Sequence, residues 1–136
     1  MYLLDTNVLS ELRKGRRCHE AVRRWAAATA KDRHCISVLS FGEIRKGIET
    51  LRRRSPDQCP AFERWLERLG NDYGQDVLPL SASVIDRWGR LAAERSLPVI
   101  EGLLAATALE FRLTVATRNA KDFEGTGVEV VNPFED

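Results

Sequence analysis

The chain is poor in the residues that staple, anchor or ligate in small proteins. Its three cysteines, Cys18, Cys35 and Cys59, cannot all pair within one chain. A disulfide framework is excluded as the basis of the fold, and a reducing compartment is expected. Histidine occurs only as His19 and His34, too few for a histidine-built metal site. No apolar run approaches the roughly 18–20 residues that span a bilayer. Met1-Tyr2-Leu3-Leu4 meets Asp5 at once, without the basic, apolar and cleavage regions of a signal peptide. Net charge is also nearly absent, at +1. These absences predict a cytoplasmic protein without membrane association.

What is present is an apolar share of 43% in 136 residues. That suits one domain over 1–136 with a core large enough to stand without staples. The charge is unevenly spread: residues 1–54 hold 13 Lys/Arg against 6 Asp/Glu, and residues 55–136 hold 8 against 14. Such asymmetry is compatible with a nucleic-acid-facing surface and equally with solvated helix faces.

Hydrophobic periodicity predicts short strands alternating with helices. Strands are expected over 1–4, 34–38, 77–80, 113–116 and 129–131. Helices are expected over Val8–Lys14, Cys18–Ala30, from Ser40 to about Arg54, Pro60–Leu69, after a cap at Ser81 or Ser83, and over Ile100–Phe111. Ser40 followed by Glu43 has the form of a capping box. The alternation implies an α/β fold, a parallel sheet sandwiched between helices. In such sheets chemistry gathers where strands end and helices begin.

Carboxylates stand at those places. Asp5 follows the first strand directly, where it is also a natural helix N-cap unless Thr6 takes that role. Glu43 lies in line with Ser40 and Gly47, offset from the Phe41/Ile44/Ile48 stripe. Glu101 opens a helix apolar nearly all round and aligns with Leu104, Ala105 and Ala108. Burying it there would cost several kcal/mol unless it is paired or metal-bound. Thr117, Asn119 and Asp122 follow the fourth strand, as a polar turn would. Carboxylates sharing one pocket repel, and hard divalent cations relieve the repulsion. The set contains no histidine or cysteine, which argues against zinc.

Leu3-Leu4-Asp5-Thr6-Asn7-Val8-Leu9-Ser10, Ser40-Phe41-Gly42-Glu43, Glu101 to Ala108 and Leu113 to Asn119 together resemble the PIN-domain ribonucleases, specifically the VapC toxins of bacterial toxin–antitoxin pairs. The resemblance runs from Met1 to about Phe134. It implies a PIN-like three-layer sandwich, with a parallel sheet of about five strands flanked by helices. It also implies an endoribonuclease site dependent on Mg²⁺ or Mn²⁺. The partners implied are RNA as substrate, a cognate antitoxin that inhibits, a second copy in a homodimer, and operator DNA reached only through the antitoxin. Asp5 and Glu43 match the first two family acids, and Asp122 matches the acid of relatives that carry Asn at position 119. Thr117 matches the hydroxyl residue at the strand end, and Thr6 and Asn119 complete the cofactor-binding set. The expected catalytic and metal-holding residues are therefore Asp5, Glu43, Glu101 and Asp122.

One departure stands out. The family's third acid is normally Asp, and position 101 is Glu, which moves the carboxylate by about 1.5 Å, a shift of the size that can cost 10²-fold in rate. A catalytically attenuated module acting by protein binding is the alternative this leaves open. An aspartyl-phosphate hydrolase is disfavoured, because Asn7 stands where its proton donor would be. The pair His34-Cys35 lies on a strand, so its side chains should face opposite ways and not share a metal. Trp25, Trp65 and Trp88 fall on apolar helix faces and are expected in the core or a dimer contact.

Overall fold

A computed structural model describes residues 1–135. Five strands form one parallel sheet: β1 (Tyr2–Leu4), β2 (His34–Ser37), β3 (Val77–Leu78), β4 (Thr114–Ala116) and β5 (Val130–Val131), in the order β3-β2-β1-β4-β5. Six helices surround it: α1 (Thr6–Leu12), α2 (Glu20–Ala28), α3 (Val38–Arg52), α4 (Cys59–Tyr73), α5 (Ala82–Glu94) and α6 (Val99–Phe111).

Strand side chains alternate between faces, and the sequence supplies apolar groups on both. Leu4, Ile36 and Ala116 pack against α1–α4 through Val8, Val22, Ile44 and Trp65. Leu3, Cys35 and Val115 pack against α6 through Leu104, Ala105 and Ala108, with Leu91 of α5 beside them. A sheet covered on both faces by helices is the three-layer sandwich expected.

Register then places the polar residues. Leu4 pairs with Ala116 across β1 and β4, so Asp5 and Thr117 emerge side by side one residue later. At the same sheet edge, β2 ends at Ser37 and leads into α3.

Several boundaries differ from the sequence expectation. The first helix starts at Thr6 and stops at Leu12, and Gly15–Arg17 forms a separate 3₁₀ turn. The capping box is not formed. Ser37 caps α3 instead, its Oγ accepting from Leu39 N at 3.0 Å, because the chain turns into helix as soon as β2 ends. Ser40 and Glu43 thereby fall inside the helix. Helix α4 continues to Tyr73 and ends at Gly74, whose φ of +47° suits glycine. Strands β3 and β5 are only two residues long. Among the described residues, no helix is long and apolar enough to cross a membrane.

Helix α6 is the central one: Gly102 through Ala108 are all buried. Leu104, 1% exposed, should therefore behave as a full core residue. Leu104→Ala is expected to destabilise the fold by about 2–5 kcal/mol in urea unfolding. A loss under about 1 kcal/mol would contradict the burial of α6.

Candidate active site

The site begins with Asp5, the N-cap of α1, buried at 6% exposure. Its Oδ1 accepts from the backbone N–H of Thr6 at 2.7 Å. Its Oδ2 accepts from the Thr117 hydroxyl at 2.8 Å and from Asn7 Nδ2 at 3.3 Å. Asp5 thus keeps the cap that Thr6 was a candidate to take. The Thr6 hydroxyl instead reaches α3, where it donates to Glu43 Oε1 at 2.7 Å and lies 2.8 Å from Ser40 Oγ. With its only hydrogen given to Glu43, Thr6 must accept from Ser40.

These contacts tie two carboxylates on separate elements into one network. Burial pushes the Asp5 carboxyl above its ordinary range, and the charge of Asp122 adds to the rise. Thr117, Thr6 and Asn7 oppose it. Burial likewise raises Glu43, opposed by the Thr6 hydroxyl, while the charges of Asp5 and Glu101 raise it further. Asp122 thus acts on Asp5, and Asp5 and Glu101 act on Glu43. Glu101 lies at the rim of the site: it is half-buried in the first turn of α6, one residue before the fully buried stretch. The heavy burial expected for it is not observed.

Asp122 sits on the 3₁₀ turn Ala120–Phe123. Thr117 is fully buried and links β4 to the site. Asn119 enters through its backbone, its N–H donating to Thr117 Oγ1 at 3.0 Å. Two contributors escaped the sequence reading. Asn7 donates to Thr117 Oγ1 at 3.3 Å as well as to Asp5, and its Oδ1 accepts from the backbone N–H of Arg118 at 3.1 Å. Its place two residues after Asp5 was the available signal. Ser40, 1% exposed, belongs to the site and not to a helix cap.

None of the ion pairs among the described residues engages Asp5, Glu43, Glu101 or Asp122. No ion pair among the described residues neutralises this negative charge, the charge of Lys46 only opposing the rise at Glu43, and the carboxylates offer oxygen alone. That chemistry fits a hard divalent cation. Among the described residues, no three carboxylate, histidine or cysteine side chains converge tightly enough to hold one ion unaided. An ion held by one or two carboxylates and otherwise by water, the habit of Mg²⁺, is compatible with that spacing. The zinc alternative finds no geometry. Cys35 is buried against α6, whereas His34 stacks on Trp25 at 5.3 Å and bonds Thr29 at 3.0 Å.

Two recesses flank Glu43. One runs between α3 and α6 past Leu39, Lys46 and Ile100. The other runs past Ser10, Gly47, Phe62 and Trp65. The acidic site therefore opens into grooves with apolar walls.

Comparison with known proteins agrees with the fold. The model of the PIN domain matches residues 2–128. The chain is 30% identical over 143 residues to the VapC ribonuclease Y4jK of Sinorhizobium fredii, covering 99% of each. Among solved structures it is similar to FitAcB from Neisseria gonorrhoeae, with TM-score 0.73 and 26% identity over 100% of both chains. It is also similar to a chain of a toxin–antitoxin complex from Klebsiella pneumoniae, with TM-score 0.65 and 26% identity over 100% of both.

The raised carboxyls give a pH prediction. A carboxyl whose folded pKa lies above its unfolded value holds its proton longer in the folded state. Its penalty is absent at acid pH and grows as pH rises through the unfolded and then the folded pKa. Glu43→Gln should therefore gain stability relative to the wild type as pH rises above the ordinary glutamate value of 4.5 in metal-free urea unfolding. A stability difference that stays flat, or moves the other way, would remove the electrostatic account of the site.

Proposed function

Because the chain belongs to the PIN-domain family, among its VapC-type toxins, we propose that it is a divalent-metal-dependent endoribonuclease. It acts as the toxin of a toxin–antitoxin pair in the cytoplasm, with the 136-residue chain working as one unit. The observation that carries this reading is the joining of Asp5 and Glu43 through Thr6, whose N–H donates to Asp5 and whose hydroxyl donates to Glu43, with the charge of Asp122 felt at Asp5 and that of Glu101 at Glu43.

Asp5, Glu43, Glu101 and Asp122 would hold Mg²⁺ or Mn²⁺. When bound, the ion supplies Lewis-acid chemistry that acidifies water and steadies charge on phosphate oxygens. The chain's own residues fix the geometry. Thr117 and Asn7 hold Oδ2 of Asp5, and the Thr6 N–H holds Oδ1. The remaining lone pairs of the carboxylate then point in fixed directions. Thr6, backed by Ser40, fixes Oε1 of Glu43 and leaves Oε2 for the site. Asn119, through its N–H, orients the Thr117 hydroxyl. Such supporting hydrogen bonds set the direction and basicity of the groups that do the chemistry. The extra methylene of Glu101 is accommodated by its place at the rim, where its charge still reaches Glu43.

The partners follow the same reading: RNA as substrate, a cognate antitoxin as inhibitor, a second copy as homodimer, and operator DNA only through the antitoxin. The apolar recesses beside Glu43 suit a protein segment that would lie across the acids. The exposed Ile85 and Val99 suit contact with a second copy.

Asp5→Asn is expected to reduce RNA cleavage in Mg²⁺ or Mn²⁺ to the level seen with EDTA, and undiminished cleavage would overturn the proposal. Thr117→Val, which keeps the shape and removes the hydroxyl, should weaken Mn²⁺ binding and activity by about 10–100-fold. Isothermal titration with Mn²⁺ checks the first effect independently of the second.

A further inference from the structure

Arg118 follows Thr117 at the mouth of the acidic site, and both its backbone groups are held. Its N–H donates to Asn7, and its carbonyl accepts from Asn132 Nδ2 at 3.4 Å. Its guanidinium lies 3.9 Å from the centroid of the Phe134 ring, and Phe134 in turn meets the ring of His19 at 5.5 Å. The side chain is exposed yet pre-oriented, and it takes part in none of the ion pairs among the described residues.

The same rim continues along α1. The charge of Arg118 reaches Glu11, and Glu11 pairs with Lys14 at 3.1 Å. Lys14 lines an open recess with Arg13 and Arg17. Arg13 is steadied over the Phe62 ring at 4.2 Å. Glu11 is largely spent on its own structure, accepting from the His19 N–H at 2.8 Å. The Lys14 ammonium is half exposed and keeps donors beyond the one given to the buried Glu11, so it can also meet another anion. Glu11 thus links Arg118, which follows Thr117 of the acidic site, to the recess of Arg13, Lys14 and Arg17, a run of four cations. A polyanion whose scissile phosphate sat among the carboxylates would need such a run for its neighbouring phosphates.

We infer that Arg118 and the Arg13/Lys14/Arg17 end of α1 form a phosphate-binding rim that carries an RNA strand away from the acidic site. The inference rests on the nuclease reading and adds the path of the substrate. Arg118 acts on the neighbouring phosphates, and Phe134 is a positioning residue that presents its guanidinium.

Counterion release gives a specific test. Each phosphate contact to a single strand contributes about −0.7 to the slope of log K against log salt. Binding of a short fluorescent single-stranded RNA is measured by anisotropy in EDTA, without cleavage, over a range of KCl. Arg118→Ala should weaken binding several-fold and make the slope shallower by about 0.7. The double variant Lys14→Ala/Arg17→Ala should make it shallower by about twice that. Arg118→Lys should retain the slope, and Arg90→Ala on α5, where Arg90 pairs with Asp86, should match the wild type. Under Mn²⁺, Arg118→Ala should raise KM and leave kcat nearly unchanged. If the Arg118 and Lys14/Arg17 variants keep the wild-type slope, the rim is wrong, even if they lose grip on a co-purified protein partner. If the wild type itself fails to bind the RNA in EDTA, the rim is wrong, whereas the nuclease reading falls only if RNA cleavage in Mn²⁺ is absent as well.

Discussion

The burial of the Asp5 carboxylate at the end of β1 is the constraint on which the rest of the site depends. A charged group in that position is tolerable only if its oxygens are satisfied, and donors arrive from three directions: the first N–H of α1, Asn7 and Thr117. These contacts offset the penalty of burial without removing it, since the carboxyl remains above its ordinary range. The parallel register of β1 and β4 is what brings Thr117 to Asp5. Sheet topology and site geometry are therefore one fact. The same network extends through Thr6 to Glu43, so that α3 is tied to α1 by an acid and two hydroxyls.

The electrostatic pattern built on this is divided. Burial and neighbouring acids raise the carboxyls of Asp5 and Glu43, while Arg118 and the Arg13, Lys14 and Arg17 recess supply positive charge nearby. Near-neutral net charge conceals both. The acids are spread in depth: Asp5 is buried, Glu43 and Glu101 are half-buried, and Asp122 is exposed.

Much of this was legible in the sequence, for identifiable reasons. A continuous apolar strand followed directly by Asp5 marks a buried parallel strand and its carboxyl end, and the all-round apolar helix from Gly102 marks the central one. The four acids stood at strand ends or the first turns of helices, where the topology collects them. What could not be read was side-chain traffic across elements. Ser40 looks like a cap because Glu43 follows it three residues later, but Ser37 reaches the helix start first and leaves Ser40 for Thr6. Asn7 holds Asp5 two residues away but also Thr117 and Arg118 across 110 and 111 residues of chain, and no local pattern announces those long-range contacts. The stacking of Arg118 on Phe134 depends on how the chain turns after β5, which the expected strand at 129–131 does not specify.

The central claim is that the buried acid and its neighbours are gathered to share a divalent cation. Anomalous diffraction from crystals soaked in Mn²⁺ tests it most directly. The account predicts one or two anomalous peaks within ligand distance of Asp5 and at least one other of the four acids, with waters completing the shell. Well-ordered crystals that show no peak there at saturating Mn²⁺, or peaks only at unrelated surface carboxylates, would contradict it.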